Sequence, residues 1–134
     1  VDDLEALKSE NISIRLVKGA YNENKSIAFI KIDDIRGNFL KLADILSNYQ
    51  SDQDAIATQD EVILNTLLRN DSYKKLAFEF LFGVRKDLQN KFNKDHSVGI
   101  YLPYGSNWLP YTMRRLSEWK NIKFIAKNLI KEKL

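Results

Sequence analysis

The sequence contains no cysteine and a single histidine, His96. Without thiols there is neither a disulfide framework nor a thiolate zinc centre, and one imidazole cannot build a histidine metal site unaided. No metal site is therefore expected. No run approaches the roughly 18 apolar residues of a membrane-spanning helix, and the opening VDDLEALKSE lacks the basic start and apolar middle of a signal peptide. A cytoplasmic setting is expected. Blocks of like charge are also missing. The formal net charge is +3, yet lysines alternate with acids, as in KIDDIRGNFLKLAD and NLIKEKL. That is the pattern of a solvated helical surface and not the clustered basic stripe that phosphate binding needs, so no nucleic-acid partner is expected. The only methionine is Met113 and the first residue is Val1, which reads as a processed or excised segment.

What is present is enough for one domain: 134 residues, 44% of them hydrophobic. Strand-like runs alternate with helical ones in the order of repeated βα units, which predicts an α/β fold with a parallel sheet. The candidate strands are Ile12 to Lys18, Asp54 to Thr58, Leu76 to Phe82 and Val98 to Leu102. The clearest helix spans 35 to 50, where Phe39, Leu42, Ala43, Leu46 and Tyr49 form an apolar stripe at helical spacing. Asp60 is placed to cap the helix EVILNTLL through its carboxylate. The last helices are expected at about 108 to 119 and 122 to 131.

Side chains alternate across a sheet. Ile12, Ile14 and Leu16 oppose Ser13, Arg15 and Val17; Leu76, Phe78, Phe80 and Phe82 oppose Ala77, Glu79 and Leu81; Val98, Ile100 and Leu102 oppose Gly99 and Tyr101. If the bulky apolar set meets the covering helices, the other face presents Arg15, Ala57, Glu79, Leu81 and Tyr101. A parallel sheet covered on both sides reads as apolar throughout. Charged residues on one face therefore either line a cavity or ligand site, or pair with each other; the strand pattern leaves both open.

Four strings in order cover nearly the whole chain: RLVKGAY at 15 to 21, AIATQDE at 55 to 61, FEFLFGVRKDLQ at 78 to 89 and YLPYGSNWLPYTMRRLSE at 101 to 118. Together they resemble the flavin-dependent proline dehydrogenases. The resemblance implies that residues 1 to 134 are the C-terminal half of a (β/α)8 TIM-like barrel, its strands five to eight, with four parallel strands, covering helices and C-terminal helices. It also implies FAD as cofactor and oxidation of L-proline to Δ1-pyrroline-5-carboxylate by hydride transfer from proline C5 to the flavin. The implied partners are L-proline, a missing N-terminal half or a homo-oligomer partner, and a quinone electron acceptor. The setting is then cytoplasmic or peripheral at the inner membrane.

By the same resemblance Arg15 is the catalytic candidate, similar to the family arginine beside the flavin, where a fixed cation stabilises negative charge on the reduced ring. Lys18, Gly19 and Ala20 at one strand end, and Ala57, Thr58 and Gln59 at the next, are cofactor-binding candidates; taken alone, KGAY reads as just a strand end and a turn, and it is the full RLVKGAY string that carries the cofactor reading. Leu81 and Tyr101 look like walls of the proline pocket, with barrel packing as the alternative. Arg114, Arg115 and Glu118 can share one helix face. Two guanidiniums after the last strand suit a small amino acid's carboxylate, with Glu118 orienting one of them; an isolated RRxxE would instead be a solvated helix surface pair. The sequence departs from the family pattern at Gln59, where histidine is usual, at Asn22, where an aromatic is common, and at Glu79, where glutamine is usual. His96 lies outside the matched strings and reads as a surface or strand-start residue without a role. Two rival functions remain: a barrel flavoenzyme acting on hydroxyproline or another secondary amine, and a non-catalytic ligand-binding barrel remnant.

Overall fold

The computed structural model describes residues 1–19, 23–49, 51–82, 85–106 and 108–110. The chain opens with helix α1, Asp2–Ser9, whose first turn carries Asp2, Asp3 and Glu5 and whose last carries Lys8, charges that complement the helix dipole. Strand β1, Arg15–Val17, leads to α2, Ile32–Asn48; β2, Ala55–Ala57, leads to α3, Glu61–Leu67, and a 3-10 turn at Asp71–Tyr73; β3, Ala77–Leu81, leads to α4, Lys86–Phe92, and then β4, Val98–Tyr101. The four strands form one sheet in the order β1-β2-β3-β4. All three pairings are parallel. The α/β reading of the sequence therefore holds. Among the described residues the sheet has four strands, where a closed (β/α)8 barrel has eight.

Register fixes which residues share a face. Leu16, Ile56, Phe78 and Val98 lie in one row, and Val17, Ala57, Glu79 and Gly99 in the next, with Arg15 level with Ala55 and Leu81 level with Tyr101. The first row belongs to the core. Phe39, Ala43 and Leu46 of α2, Ile63, Leu64 and Leu67 of α3, and Leu88 and Phe92 of α4 are buried with Ile56, Phe78 and Phe80. Removing each of the larger of these from water contributes about 1.5–3 kcal/mol. The Phe78 and Phe92 rings lie 4.5 Å apart and Phe80 and Phe92 lie 5.7 Å apart, within the range where tilted aromatic pairs attract. Among the described residues the opposite face is not covered in this way: Arg15, Val17 and Tyr101 are exposed, and Glu79 and Leu81 half-buried.

Several expectations shift in detail. Helix α2 begins at Ile32 and not at 35, because Lys31 is its extended cap residue and Asp33 and Asp34 suit the first turn. Each strand is shorter than its apolar run. Phe82, grouped with the covered set, lies just beyond β3 and is 62% exposed; Ile100 and Leu102 are also exposed. Tyr49 caps α2 and is exposed, with its ring 5.4 Å from the Lys8 ammonium. His96 is no bare surface residue: its ring packs edge-on to Phe78 at 4.8 Å and against Phe92 at 5.5 Å. Of the two C-terminal helices, residues 108–110 are helical and the rest lies outside the described residues.

Two polar ties hold helices in place. At the amino end of the sheet, Lys8 Nζ donates to Asp54 Oδ2 at 2.8 Å, and Asp54 Oδ1 accepts from the Ile14 backbone N–H at 2.7 Å. Both Lys8 and Asp54 are buried, so α1 is fixed to β1 and β2 by an ion pair shielded from water. Tyr73 donates its hydroxyl to Asp44, tying the 3-10 turn to α2. Burial and that carboxylate push the Tyr73 phenol up to about 12, which keeps it a donor across the physiological range.

Candidate active site

Parallel sheets present their chemistry at the carboxyl ends of the strands, where the βα turns lie. The β1 end carries Lys18 and Gly19, and the β2 end carries Thr58, Gln59 and Asp60. Gly19 has φ +77, a conformation that glycine adopts without steric penalty.

Asp60 joins these turns. Its carboxylate accepts from the Val62 N–H at 3.1 Å, capping α3 as the sequence predicts. It also accepts from Lys18 Nζ at 2.8 Å and from Arg36 Nε at 3.0 Å, so one acid binds the β1 end, α2 and α3 together. Burial pushes the Asp60 carboxyl up, but the hydrogen bonds from Arg36 and Lys18 outweigh it and hold the group below its ordinary value. Sequence reasoning found the cap and missed the hub. Arg36, on α2, was not singled out at all.

The remaining cofactor-binding candidates fall into different settings. Thr58 is buried, with its Oγ1 accepting from the Asp60 N–H at 3.2 Å. Gln59 is half-buried, and its Oε1 has no hydrogen-bond partner among the described residues. Such an orphan acceptor is destabilising unless something donates to it. Ala57 is half-buried on the open face, and Ala20 lies outside the described residues.

On that open face Arg15 Nε donates to Glu79 Oε2 in an ion pair. The Tyr101 ring lies 5.6 Å from the Arg15 guanidinium carbon, a cation–π distance. Leu81 is level with Tyr101 in the β3–β4 register. Of the two readings left open by the alternation, the structure shows the pairing: Arg15 and Glu79 meet in an ion pair, on a face where Arg15, Val17 and Tyr101 are exposed. Arg114, Arg115 and Glu118 lie outside the described residues, as does Asn22.

No protein-family model matches the chain. Among curated proteins it is 34% identical over 98% of its length to proline dehydrogenase 2 of Bacillus subtilis (strain 168), covering 45% of that protein. It is 32% identical, with the same coverage, to proline dehydrogenase 1 of that organism. The proline dehydrogenase of Deinococcus radiodurans is 35% identical over 89% of the chain, with 40% of that protein covered. The chain is a homologue of the proline dehydrogenases. It spans less than half the length of these relatives. The proline dehydrogenase resemblance carried by the four motifs is therefore shown, and every strand described in the structure lies within or beside one of those motifs.

Proposed function

We propose that this chain supplies one half of the active site of a flavin-dependent proline dehydrogenase, as strands five to eight of a (β/α)8 barrel. The observation that carries the proposal is the convergence, on the carboxyl ends and open face of one parallel sheet, of Arg15, Lys18, Gln59, Glu79, Leu81 and Tyr101, all drawn from the four strings that resemble that family, with Gln59 and Glu79 as its departures.

The residues present fit a flavin dinucleotide. The unpartnered Gln59 Oε1 suits a hydroxyl or N–H donor. A bare Gly19, with nothing within 4 Å of where a Cβ would stand, allows close approach of the backbone. Lys18, Ala20, Ala57 and Thr58 complete this cofactor side. When bound, FAD supplies the two-electron acceptor for the hydride leaving proline C5, giving Δ1-pyrroline-5-carboxylate. Arg15 stabilises negative charge developing beside it. Leu81 and Tyr101 exclude water from the proline ring, while Arg114 and Arg115, oriented by Glu118, grip its carboxylate through charge-assisted hydrogen bonds. A quinone as final acceptor and a cytoplasmic or inner-membrane setting belong to the same proposal and rest on the family resemblance.

The test is to purify the complete protein that carries this chain. Visible flavin absorbance that bleaches on adding L-proline is the expected result. Protein without flavin would instead favour a ligand-binding remnant, and bleaching by hydroxyproline alone would favour the other secondary-amine substrate. Arg15→Met should slow flavin reduction at saturating proline in stopped-flow while proline affinity changes little; an unchanged rate would leave Arg15 a structural residue.

A further inference from the structure

Arg15 and Glu79 stand on β1 and β3, with the whole of β2 between them. Neighbouring strands are ~4.8 Å apart, so the pair spans about twice that. It can do so because the intervening face of β2 offers only Ala55 and Ala57. On the other side of Glu79, β4 offers Gly99, where a Cβ would stand 3.1 Å from Glu79 Cγ. Small residues therefore clear a floor on which the two long side chains meet. Tyr101 closes the arrangement, its ring 5.6 Å from the Arg15 guanidinium.

The contact is one-sided. Glu79 takes the Nε–H. Among the described residues neither Nη group of Arg15 donates to an acceptor, which leaves four N–H donors on a side chain 47% exposed. An ion pair this exposed adds little to stability. Its evident effects are on Arg15 itself: the guanidinium is gripped by one edge, and its charge is offset by a neighbouring carboxylate.

We propose that Glu79 is a positioning residue that clamps Arg15 by Nε, turns its Nη donors to the bound flavin and limits the positive charge felt there; this rests on the reading of Arg15 as the residue beside the flavin. A fixed cation favours the reduced, more anionic ring, and Glu79 holds that preference below what an unpaired arginine would give. Glu79→Gln keeps the shape and an acceptor but removes the charge. In the complete flavin-loaded protein it should move the flavin midpoint potential to a more positive value, whereas Arg15→Met should move it to a more negative one. A tenfold change in the reduction equilibrium would be read as ~30 mV for a two-electron couple.

Gly99→Ala, which crowds Glu79 without touching its charge, should shift the potential in the same direction as Glu79→Gln and by less; it answers the question if Glu79→Gln does not fold. Potentials unchanged in Glu79→Gln and Gly99→Ala, with Arg15→Met more negative, would overturn the role of Glu79 and leave the proposed function standing. A potential indifferent to Arg15→Met would remove the role of Glu79 together with the placing of Arg15 beside the flavin, and protein that carries no flavin would remove the proposed function as well.

Discussion

At the scale of single residues, Asp60 carries more of the local architecture than any other side chain at the strand ends, because one carboxylate caps α3 and holds Lys18 and Arg36. Asp60→Ala should destabilise the protein by ~1–2 kcal/mol through loss of the cap alone, seen as a lower melting temperature. Asp60→Asn keeps an acceptor for the Val62 N–H and loses only the two ion pairs, so it should lie between wild type and Ala. Its pH dependence has a definite sign. The folded carboxyl sits below its ordinary value of 3.8, so the advantage of wild type over Asn is complete above that pH and disappears as pH falls through the folded value. His96 titrates in a nearer range. Burial among aromatic rings holds its imidazole below the usual 6.5. The unfolded chain then takes up the proton first, and stability falls as pH drops from about 6.5 toward the folded value. His96→Leu should flatten thermal stability across that window; an undiminished slope would assign the acid sensitivity elsewhere. Asp60 as a cap was legible from its place before EVILNTLL. Its ion pairs were not, since Lys18 and Arg36 come from elements that only the packed βα layers bring to it. The orphan Gln59 Oε1 likewise has no counterpart in sequence.

Among the elements, α1 shows where periodicity gives out. It is an eight-residue, largely polar helix, and what fixes it is Lys8 meeting Asp54 inside the protein. Lys8→Met should cost ~3–5 kcal/mol by leaving a buried carboxylate with, among the described residues, only the Ile14 N–H to compensate it. Lys8→Met combined with Asp54→Asn should recover much of that loss, because the amide oxygen still accepts from Ile14 without a charge. Urea unfolding midpoints of the two variants test this; equal midpoints would mean that the charge contributes nothing. Strands β1 to β4 and helix α2 were legible, for the opposite reason. Phe78 and Phe80 alternate with Glu79, and Phe39, Ala43 and Leu46 recur at helical spacing, so the one-dimensional pattern already encodes the covered face. The strand ends were overextended because Phe82 and Leu102 are apolar without being covered. An alternation rule cannot tell a core residue from an apolar residue at a sheet's rim.

At the scale of the whole molecule, the sheet face that the described helices leave uncovered is the dominant fact. Val17 and Tyr101 are exposed beside Arg15, and among the described residues β1 and β4 each pair on one side only. Unpaired backbone and exposed apolar surface both favour association with another chain. Light scattering should therefore show this chain as an oligomer or aggregate, or as a defined complex once a complementary barrel half is supplied, and the chain alone should not turn over proline. A monodisperse, proline-oxidising monomer would overturn the half-barrel proposal. The strand order carries one more consequence. Because spatial order equals chain order, each new strand is laid against the one made just before it, and no strand has to be inserted between two that are already paired. Ribosomes add about 5–20 residues per second, slowly enough for domains to begin folding during synthesis. Growth of this sheet can keep pace with translation, one βα unit at a time, always at the most recently made edge.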